Sequence, residues 1–503
     1  MEVVHEKYTQ RQIAPIDTKQ VKVNPKMELQ TPAKKILSVA PMAFVQKIDK
    51  AEKEVTVAGK IITRVIFIDE LDSYNSEERT DEFACVFNPK SMDSLVSVVP
   101  AVSVMQTTFD GLNSLSIEHL VNVGLSGVVQ TESSYVAGLG GNTECKHDVV
   151  SVSNCDQTFF EKFDIGESIV LEQNVEGVLG VEFNAVVRSV IPSDGKVVVK
   201  GIATAGVSVV KGTADGQIMQ NCFHDFEFSK TFTRKEITEY DIICGSIIIS
   251  DCASKIEHRE KPELVLESSL IFVGHSVKHR EIKILSDAFS VDHEINFEHK
   301  NVRTVQASEQ ANQNFDIEGN VSMPNGSPFI SRVLWAECGK VASVNVKPGD
   351  DRAIIEGVVA ANFVYECEDR QIHSHVAQVP FSFTVKSNGC NSQSSIYANI
   401  VPVQCVIKAR RGKELLVDAK VSVNMGASNG KDVKIISGAV KGGDRTELGA
   451  AIQIHYVGVA ETLWDIAKRT STATSEIIKQ NPAIADGMKD GDKIVVYRQR
   501  IVS

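Results

Sequence analysis

The sequence predicts a mainly β protein: three tandem β-rich modules, each a sandwich or an open barrel, followed by a small α+β domain of βααβ type. Short runs rich in Val, Ile and Phe alternate with period 2 and are broken by turns such as Pro-Ser-Asp-Gly195. Near the C terminus, two short β-branched runs flank two segments with helical periodicity. We therefore place β modules at 1–145, 146–300 and 301–430, a linker at 431–449 and the βααβ domain at 450–503.

Length and composition allow several packed domains and argue against a nucleic-acid partner. The 503 residues suffice for about three or four domains of ordinary size. A hydrophobic content of 43% with 23% charged residues is typical of globular protein. The net charge of -12 is the opposite of what a nucleic-acid surface requires. The basic cluster between Lys408 and Lys413 surrounds a glycine, which favours a solvated hairpin turn.

Features of export or membrane insertion are not evident in the sequence. The N terminus has no charged and then apolar leader. The longest apolar runs, such as Ile242 to Ile249, are far shorter than the roughly 20 residues that a membrane helix needs. The ten cysteines are scattered without a C-x-x-C pair. We therefore expect reduced thiols and a cytoplasmic location.

One sequence pattern occurs three times in the β-rich part of the chain. A strand-like run ends in a marker glycine, a second strand-like run follows, and a phenylalanine comes 24 or 25 residues after the glycine. A repeat of roughly 130 to 150 residues can bury its own core. Sandwiches and open barrels leave edge strands, and an unpaired edge can recruit another chain. The marker pairs are Gly59 with Phe83, Gly201 with Phe226 and Gly357 with Phe381.

The two strands of the C-terminal domain are predicted from their residue patterns. Ile452, Ile454 and Tyr456 alternate with polar or small neighbours, which predicts a half-buried strand. The β-branched run from Lys493 to Tyr497 predicts a second strand.

Two helices are predicted between these strands. Thr462 can cap the first helix, with Asp465 at its N3 position and an apolar face that includes Leu463 and Ile466. Thr474 or Ser475 can cap the second helix, and Asn481-Pro482 stops it.

The C-terminal segment resembles LysM modules, which usually hold glycans that contain N-acetylglucosamine. The resemblance rests on the run from His455 to Arg469, on Ile477 to Pro482 and on Gly491 to Val496. It implies a βααβ fold with a binding groove between two loops. The groove residues that it implies are Ala460, Glu461, Thr462, Leu463, Trp464, Asn481, Pro482, Ala483 and Ile484.

The sequence departs from the LysM pattern at the rim of this groove. It has Ala460 and Glu461 where the family has Gly-Asp, and His455 where a tyrosine is expected. Glycine permits a positive φ that alanine resists, so we expect a glycan site there to be compromised, whereas a protein-binding surface would tolerate the change. Trp464 lies off the apolar stripe of its helix, either at the core edge or as an interface anchor. We expect Trp464→Ala to lower partner binding more than Lys468→Glu does.

The whole architecture resembles the SPOCS (DUF3794) domain proteins of spore-forming clostridia, three β modules with a C-terminal LysM module. The resemblance implies a non-enzymatic scaffold in the mother cell that attaches the spore coat to the forespore surface. The implied partners are the coat-basement ATPase, stage IV sporulation protein A, which the LysM module would bind, and other coat proteins. The alternative is a peptidoglycan-binding protein of the spore cortex or cell wall.

Patterns that could indicate catalysis or metal binding are better explained as structure. The string Gly426-Ala-Ser428-Asn-Gly430 would need a following helix to act as a nucleophile elbow, but a strand-like run follows, so we predict a hairpin loop. His275 and His279 stand in a strand-like run, where this spacing does not favour a zinc site. No catalytic residue, metal or cofactor is expected.

Overall fold

The computed structural model describes residues 1–51, 54–89, 92–214, 216–258, 261–444 and 452–497. These residues form a mainly β protein whose only helical turns in the described ranges lie near the C terminus. The predicted fold class is therefore confirmed.

One strand order occurs three times along the chain. Each set contains a long opening strand, a three-stranded antiparallel meander and a closing hairpin, and the last strand of the hairpin pairs with the opening strand. The first set consists of β1 (Val3–Val23), the short β2 (Lys26–Glu28), β3 (Ala33–Lys50), β4 (Val55–Asp69), β5 (Tyr74–Phe87), β6 (Ser94–Phe109) and β7 (Ser114–Leu139). The second consists of β8 (Thr143–Val170), β9 (Val175–Ser193), β10 (Lys196–Thr213), β11 (Gly216–Thr233), β12 (Ile242–His258) and β13 (Pro262–Ser290). The third consists of β14 (His293–Ser322), β15 (Ile330–Gly349), β16 (Arg352–Cys367), β17 (Ile372–Lys386), β18 (Ser395–Ala409) and β19 (Glu414–Asp444).

Each set folds into two sheets with buried apolar side chains between them, and in the first set these side chains form two clusters. In the third set, β14, β19 and β18 form one sheet and β15, β16 and β17 form the other. Strand β18 lies beside β15, and β14 lies beside β17, so the two sheets approach a flattened open barrel. Ile355, Phe363, Val379 and Val417 are buried between them. The period-2 alternation of the sequence follows from this packing, because only one face of each strand meets the core.

The long strands continue beyond the barrels as two-stranded ribbons. Strand β7 pairs with β6 only as far as Val128, whereas its pairing with β1 continues to Leu139. The second and third sets repeat this arrangement. The three ribbons pack against one another around Val136, Leu285 and Ile436, all of which are buried. We call this bundle the ribbon stalk, formed by residues 3–13, 128–139, 143–155, 277–290, 293–305 and 430–444.

The barrels share a second apolar cluster away from the stalk. Ile66 of the first set, Val210 of the second and Val364 of the third are buried there together. Trp335 packs in the same cluster, and its indole nitrogen donates to the hydroxyl of Ser208 at 2.8 Å. The three sets are therefore joined at two levels.

The strand bounds differ from the predicted domain bounds, although the division into modules itself stays a prediction. Predicted boundaries after 145 and 300 fall inside β8 and β14, and residues 431–444 of the predicted linker form the end of β19. The rest of that linker, 445–449, lies outside the described residues. The ribbons were missed because only a narrow side of each meets the stalk interior, which weakens their apolar alternation.

The marker glycines lie within strands and not at their ends. Strands β4, β10 and β16 each continue past the glycine. Gly59 and Gly357 pair directly with Phe83 and Phe381, which accounts for the equal spacing in these two sets. Gly201, however, pairs with Phe228 and not with Phe226, because the second hairpin is longer. A Cβ at Gly59 or Gly201 would overlap the phenylalanine ring opposite, so each glycine makes room for a ring.

The C-terminal domain has the predicted order. It consists of β20 (Ile452–Tyr456), α1 (Leu463–Thr470), α2 (Thr474–Gln480), a 3-10 turn (Pro482–Ile484) and β21 (Lys493–Tyr497), and the two strands pair antiparallel. The capping box of Thr462 with Asp465 is present, as predicted. The predicted cap of α2 was wrong: Ala473 occupies the N-cap position, and the hydroxyl of Thr474 donates to Glu144 of the stalk instead.

Candidate functional site

The outer face of β20 is apolar and exposed. Ile452, Ile454 and Tyr456 are 53%, 55% and 65% exposed, whereas Gln453 and His455 between them are half-buried. The sequence predicted the opposite orientation, with the apolar side chains inward. The pairing explains the reversal, because His455 lies opposite the buried Ile494 and therefore shares the inner face.

The turn after β20 keeps a left-handed backbone although glycine is absent. Ala460 has a φ of 60°. Ala460 therefore adopts the conformation that alanine resists, and the strain it carries is of the order of 1 kcal/mol. Val459, the preceding residue, is 87% exposed. The turn therefore presents an apolar side chain next to the predicted groove rim.

Glu461 is held within the domain by three donors. Its carboxylate accepts from the backbone N–H of Gly458 at 2.9 Å, lies 2.8 Å from Nε2 of His455 and pairs with Arg469. These contacts lower the pKa of Glu461 to about 2, and the hydrogen bond from Gly458 contributes most, followed by that from His455. The departures from the LysM pattern at 455 and 461 thus form one charge cluster that closes the turn.

The next two predicted residues serve the start of α1. The hydroxyl of Thr462 donates to the Asp465 carboxylate at 2.6 Å and accepts from the Asp465 backbone N–H, which satisfies the helix N terminus. Leu463 is half-buried against the small core of the domain, with Ile466 fully buried beside it.

Trp464 contacts the ribbon stalk. Its indole Nε1 donates to Asp287 Oδ2 at 2.9 Å, and its ring meets Phe289 edge-on at 5.2 Å between centroids. Lys468, one helical turn later, donates to both oxygens of the same carboxylate at 2.7 and 2.8 Å. The sequence placed Trp464 either at the core edge or as an interface anchor, and its ring packs at the edge of the domain core, where it meets Phe289 of the stalk.

The second predicted loop is largely structural. The Asn481 side chain donates to the carbonyl oxygens of Ile477 and Val495, and it accepts from the Val495 backbone N–H at 2.8 Å. Ile484 is buried in the domain core. Pro482 and Ala483 are exposed. The Asn481 side-chain amide therefore satisfies both backbone hydrogen-bonding groups of Val495 in β21.

The polar groove residues thus have internal partners, while the exposed apolar side chains of β20 were assigned to the wrong face. Period-2 alternation says which residues share a face but not which face is buried. The exposed Val459 gave no sequence signal beyond its position in a turn.

The other sequence patterns lie in regular strands. Residues 426–430 lie inside β19, so the predicted hairpin loop was wrong, and no helix follows to form a nucleophile elbow. A Cβ at Gly426 would overlap the ring of Tyr397 on the neighbouring strand, which explains this glycine by packing. His275 is buried in β13, and burial lowers its pKa to about 4.

Within the described ranges, no group of three or more metal-ligand side chains occurs. The helices of these ranges are all too short or too polar to span a membrane.

One family model matches part of the chain. Residues 330–409 match the model described as "SipL, SPOCS domain". The match runs from the start of β15 to the end of β18, that is, the third meander with the strand after it. It supports a SipL-like relationship and indicates a sporulation-related protein. The comparisons with curated proteins and with solved structures found no match.

Proposed function

We propose that the chain is a non-enzymatic scaffold in bacterial endospore coat assembly. It attaches coat layers to the forespore from the mother-cell cytoplasm, and its LysM-like C-terminal domain binds the coat-basement ATPase, stage IV sporulation protein A. The SPOCS-domain match supports the sporulation context. The choice of partner rests on the resemblance of the whole architecture to that family.

The observation that carries the proposal is the outward apolar face of β20. Ile454 and Tyr456 are more than half exposed on a domain whose own core is small. Burial of apolar surface contributes about 25 cal/mol per Å², so these side chains can supply much of a protein contact. The exposed Val459 stands in the turn that leads directly to Trp464. We place the partner surface along β20 and this turn, with Trp464 at its far end.

The internal hydrogen bonds of the groove favour a protein over a sugar as ligand. A sugar is recognised through its hydroxyl groups, which need free donors and acceptors in the site. The carboxylate of Glu461 and the amide of Asn481 are already engaged within the domain. The peptidoglycan alternative retains one supporting observation, the left-handed backbone that Ala460 keeps in the turn.

Binding of the full chain to immobilised stage IV sporulation protein A tests the proposal. Ile454→Lys puts a charge on the apolar face without altering the core, and we expect it to weaken binding by about tenfold or more. Ile191→Lys is the matched control, because Ile191 is 44% exposed on the distant strand β9. Trp464→Ala should also weaken binding.

Sedimentation of the same proteins with purified peptidoglycan separates the two candidates. The glycan alternative is favoured, and the scaffold proposal contradicted, if the wild type is retained on peptidoglycan but does not bind the ATPase. Ile454→Lys or Trp464→Ala should then abolish the retention. Equal affinity of the wild type and Ile454→Lys for the ATPase would refute the assigned surface.

A further inference from the structure

Both helices of the C-terminal domain rest on one end of the ribbon stalk. Phe289 and Glu144 are cross-strand partners on the β13–β8 ribbon. Trp464 of α1 packs against Phe289, and Thr474 of α2 donates to Glu144 at 3.2 Å. Phe289 is only 1% exposed, because the core of the domain covers it. The contact thus includes a covered apolar ring as well as polar groups.

The centre of this contact is the carboxylate of Asp287. Burial opposes its charge, but hydrogen bonds from Lys468 and Trp464 outweigh burial and lower the pKa of Asp287. The carboxylate is therefore charged at neutral pH and is held by an ammonium and an indole N–H. The Lys468 side chain is still 46% exposed, so water reaches the edge of the contact. Contacts between parts of one chain that combine an apolar ring with partly exposed polar groups resemble transient interfaces.

The stalk therefore engages the aromatic side chain that the proposed partner surface includes. A partner that contacts the indole of Trp464 must displace Asp287 and Phe289 from it. When only a fraction of the molecules is in the binding-competent state, the apparent affinity equals the intrinsic affinity multiplied by that fraction.

We propose that the end of the ribbon stalk at Asp287 and Phe289 is an autoinhibitory surface for the C-terminal domain. In the docked state the stalk holds Trp464, and release of the domain makes Trp464 available to the partner. This inference rests on the proposed function and names how its binding site is regulated.

Tryptophan fluorescence of the full chain measures docking without the partner. The sequence has two tryptophans, so Trp335→Phe leaves Trp464 as the reporter. In this background we expect Asp287→Ala to increase quenching of Trp464 by acrylamide, because it removes the acceptor of both Trp464 and Lys468. Asp292→Ala is the matched control: Asp292 is an exposed aspartate of the same stalk end, where it accepts from Asn142. Unchanged quenching in Asp287→Ala would overturn the inference.

Binding to immobilised stage IV sporulation protein A tests the inhibition itself. We expect Asp287→Ala to bind about tenfold more tightly than the wild type, the ratio that follows if docked molecules outnumber released ones by that factor. Asp292→Ala should bind as the wild type does. Equal affinity of Asp287→Ala and the wild type, together with increased quenching, would show a docking contact that does not inhibit and would overturn the proposal.

The same measurements separate failure of this inference from failure of the proposed function. If neither the wild type nor Asp287→Ala binds the ATPase, the proposed function fails and the inhibition fails with it. If the wild type binds and Asp287→Ala binds no better, only the inhibition fails. Binding by Asp287→Ala alone would support both.

Discussion

The side-chain oxygen of Gln10 accepts a hydrogen bond at 3.2 Å from the backbone N–H of Val305, 295 residues later in the chain. The same amide donates to the carbonyl oxygen of Ser153 at 3.1 Å. One side chain of the first ribbon therefore pairs with backbone groups of both other ribbons. Gln10 is only 4% exposed, so water cannot replace these bonds.

Replacement of Gln10 by leucine should destabilise the stalk. Gln10→Leu removes the side-chain acceptor of the buried Val305 N–H and the amide that donates to the Ser153 carbonyl oxygen. Loss of the acceptor at the buried N–H alone costs about 1–3 kcal/mol. We expect a lower thermal midpoint by circular dichroism. Gln20→Leu, at an exposed position of the same strand, is the control and should leave the midpoint unchanged. A Gln10→Leu protein as stable as the control would contradict the role of this amide.

Gly201→Ala should disrupt the second barrel. The added Cβ would overlap the ring of Phe228 and the carbonyl oxygen of Val186. Overpacking of this kind costs about 1–3 kcal/mol, measurable as a lower denaturation midpoint in urea. Gly177→Ala on the neighbouring strand β9 meets nothing within 4 Å and should be neutral. Similar midpoints for the two variants would argue against a packing role for the marker glycine.

The C-terminal domain should lose stability in acid because of Glu461. The folded domain lowers the pKa of Glu461 to about 2, from an ordinary value of 4.5. The stabilisation is therefore present above the unfolded value and is lost as pH falls from about 4.5 toward 2. Glu461→Gln should remove this part of the pH dependence and lower stability at neutral pH. Nuclear magnetic resonance of the methyl groups of Ile466 and Ile494 would report it, and a Glu461→Gln protein with the wild-type acid transition would disprove it.

A half-buried acid of β9, Glu182, should act in the opposite direction. The pKa of Glu182 is raised well above its ordinary value. Burial is the largest cause and the negative charge of Glu337 the second, and the positive charge of Arg64 only partly offsets the increase. The folded state holds the proton, so the free energy of unfolding falls as pH rises from the unfolded value through the folded one. Glu182→Gln should therefore be more stable than the wild type at pH 8.

Thermal midpoints across a pH series check this expectation. Glu227→Gln serves as the control, because the Glu227 side chain is 79% exposed on the nearby strand β11. The expectation is wrong if Glu182→Gln and the control follow the wild-type pH profile equally.

The features predicted correctly from the sequence are those set by local physics. The capping box of Thr462, the stop of α2 at Asn481-Pro482 and the bounds of β21 depend on neighbouring residues, and all are present. The repeated Gly–Phe spacing was visible because cross-strand neighbours in a hairpin have a fixed separation along the chain. The pairing itself was not predicted, and in the second set, where the hairpin is longer, Gly201 pairs with Phe228 and not with Phe226.

The features that were missed depend on contacts between distant parts of the chain. The ribbons exist as a bundle because three strand pairs, in each of which the two strands are more than a hundred residues apart along the chain, share one interior. The exposed face of β20 depends on which side the helices cover, and the docking of Trp464 depends on Asp287. The sequence pattern gave Trp464 as an interface candidate but contained no information on what it would touch.

The pairing of the opening strand of each set with its closing strand has a consequence for the origin of the protein. The chain enters and leaves a set at the same place, and only the short connections 140–142 and 291–292 join one set to the next. A gene segment for one set can therefore be duplicated in tandem without rerouting the polypeptide. Each duplication adds one strand pair to the bundle, and with three pairs every pair touches both others.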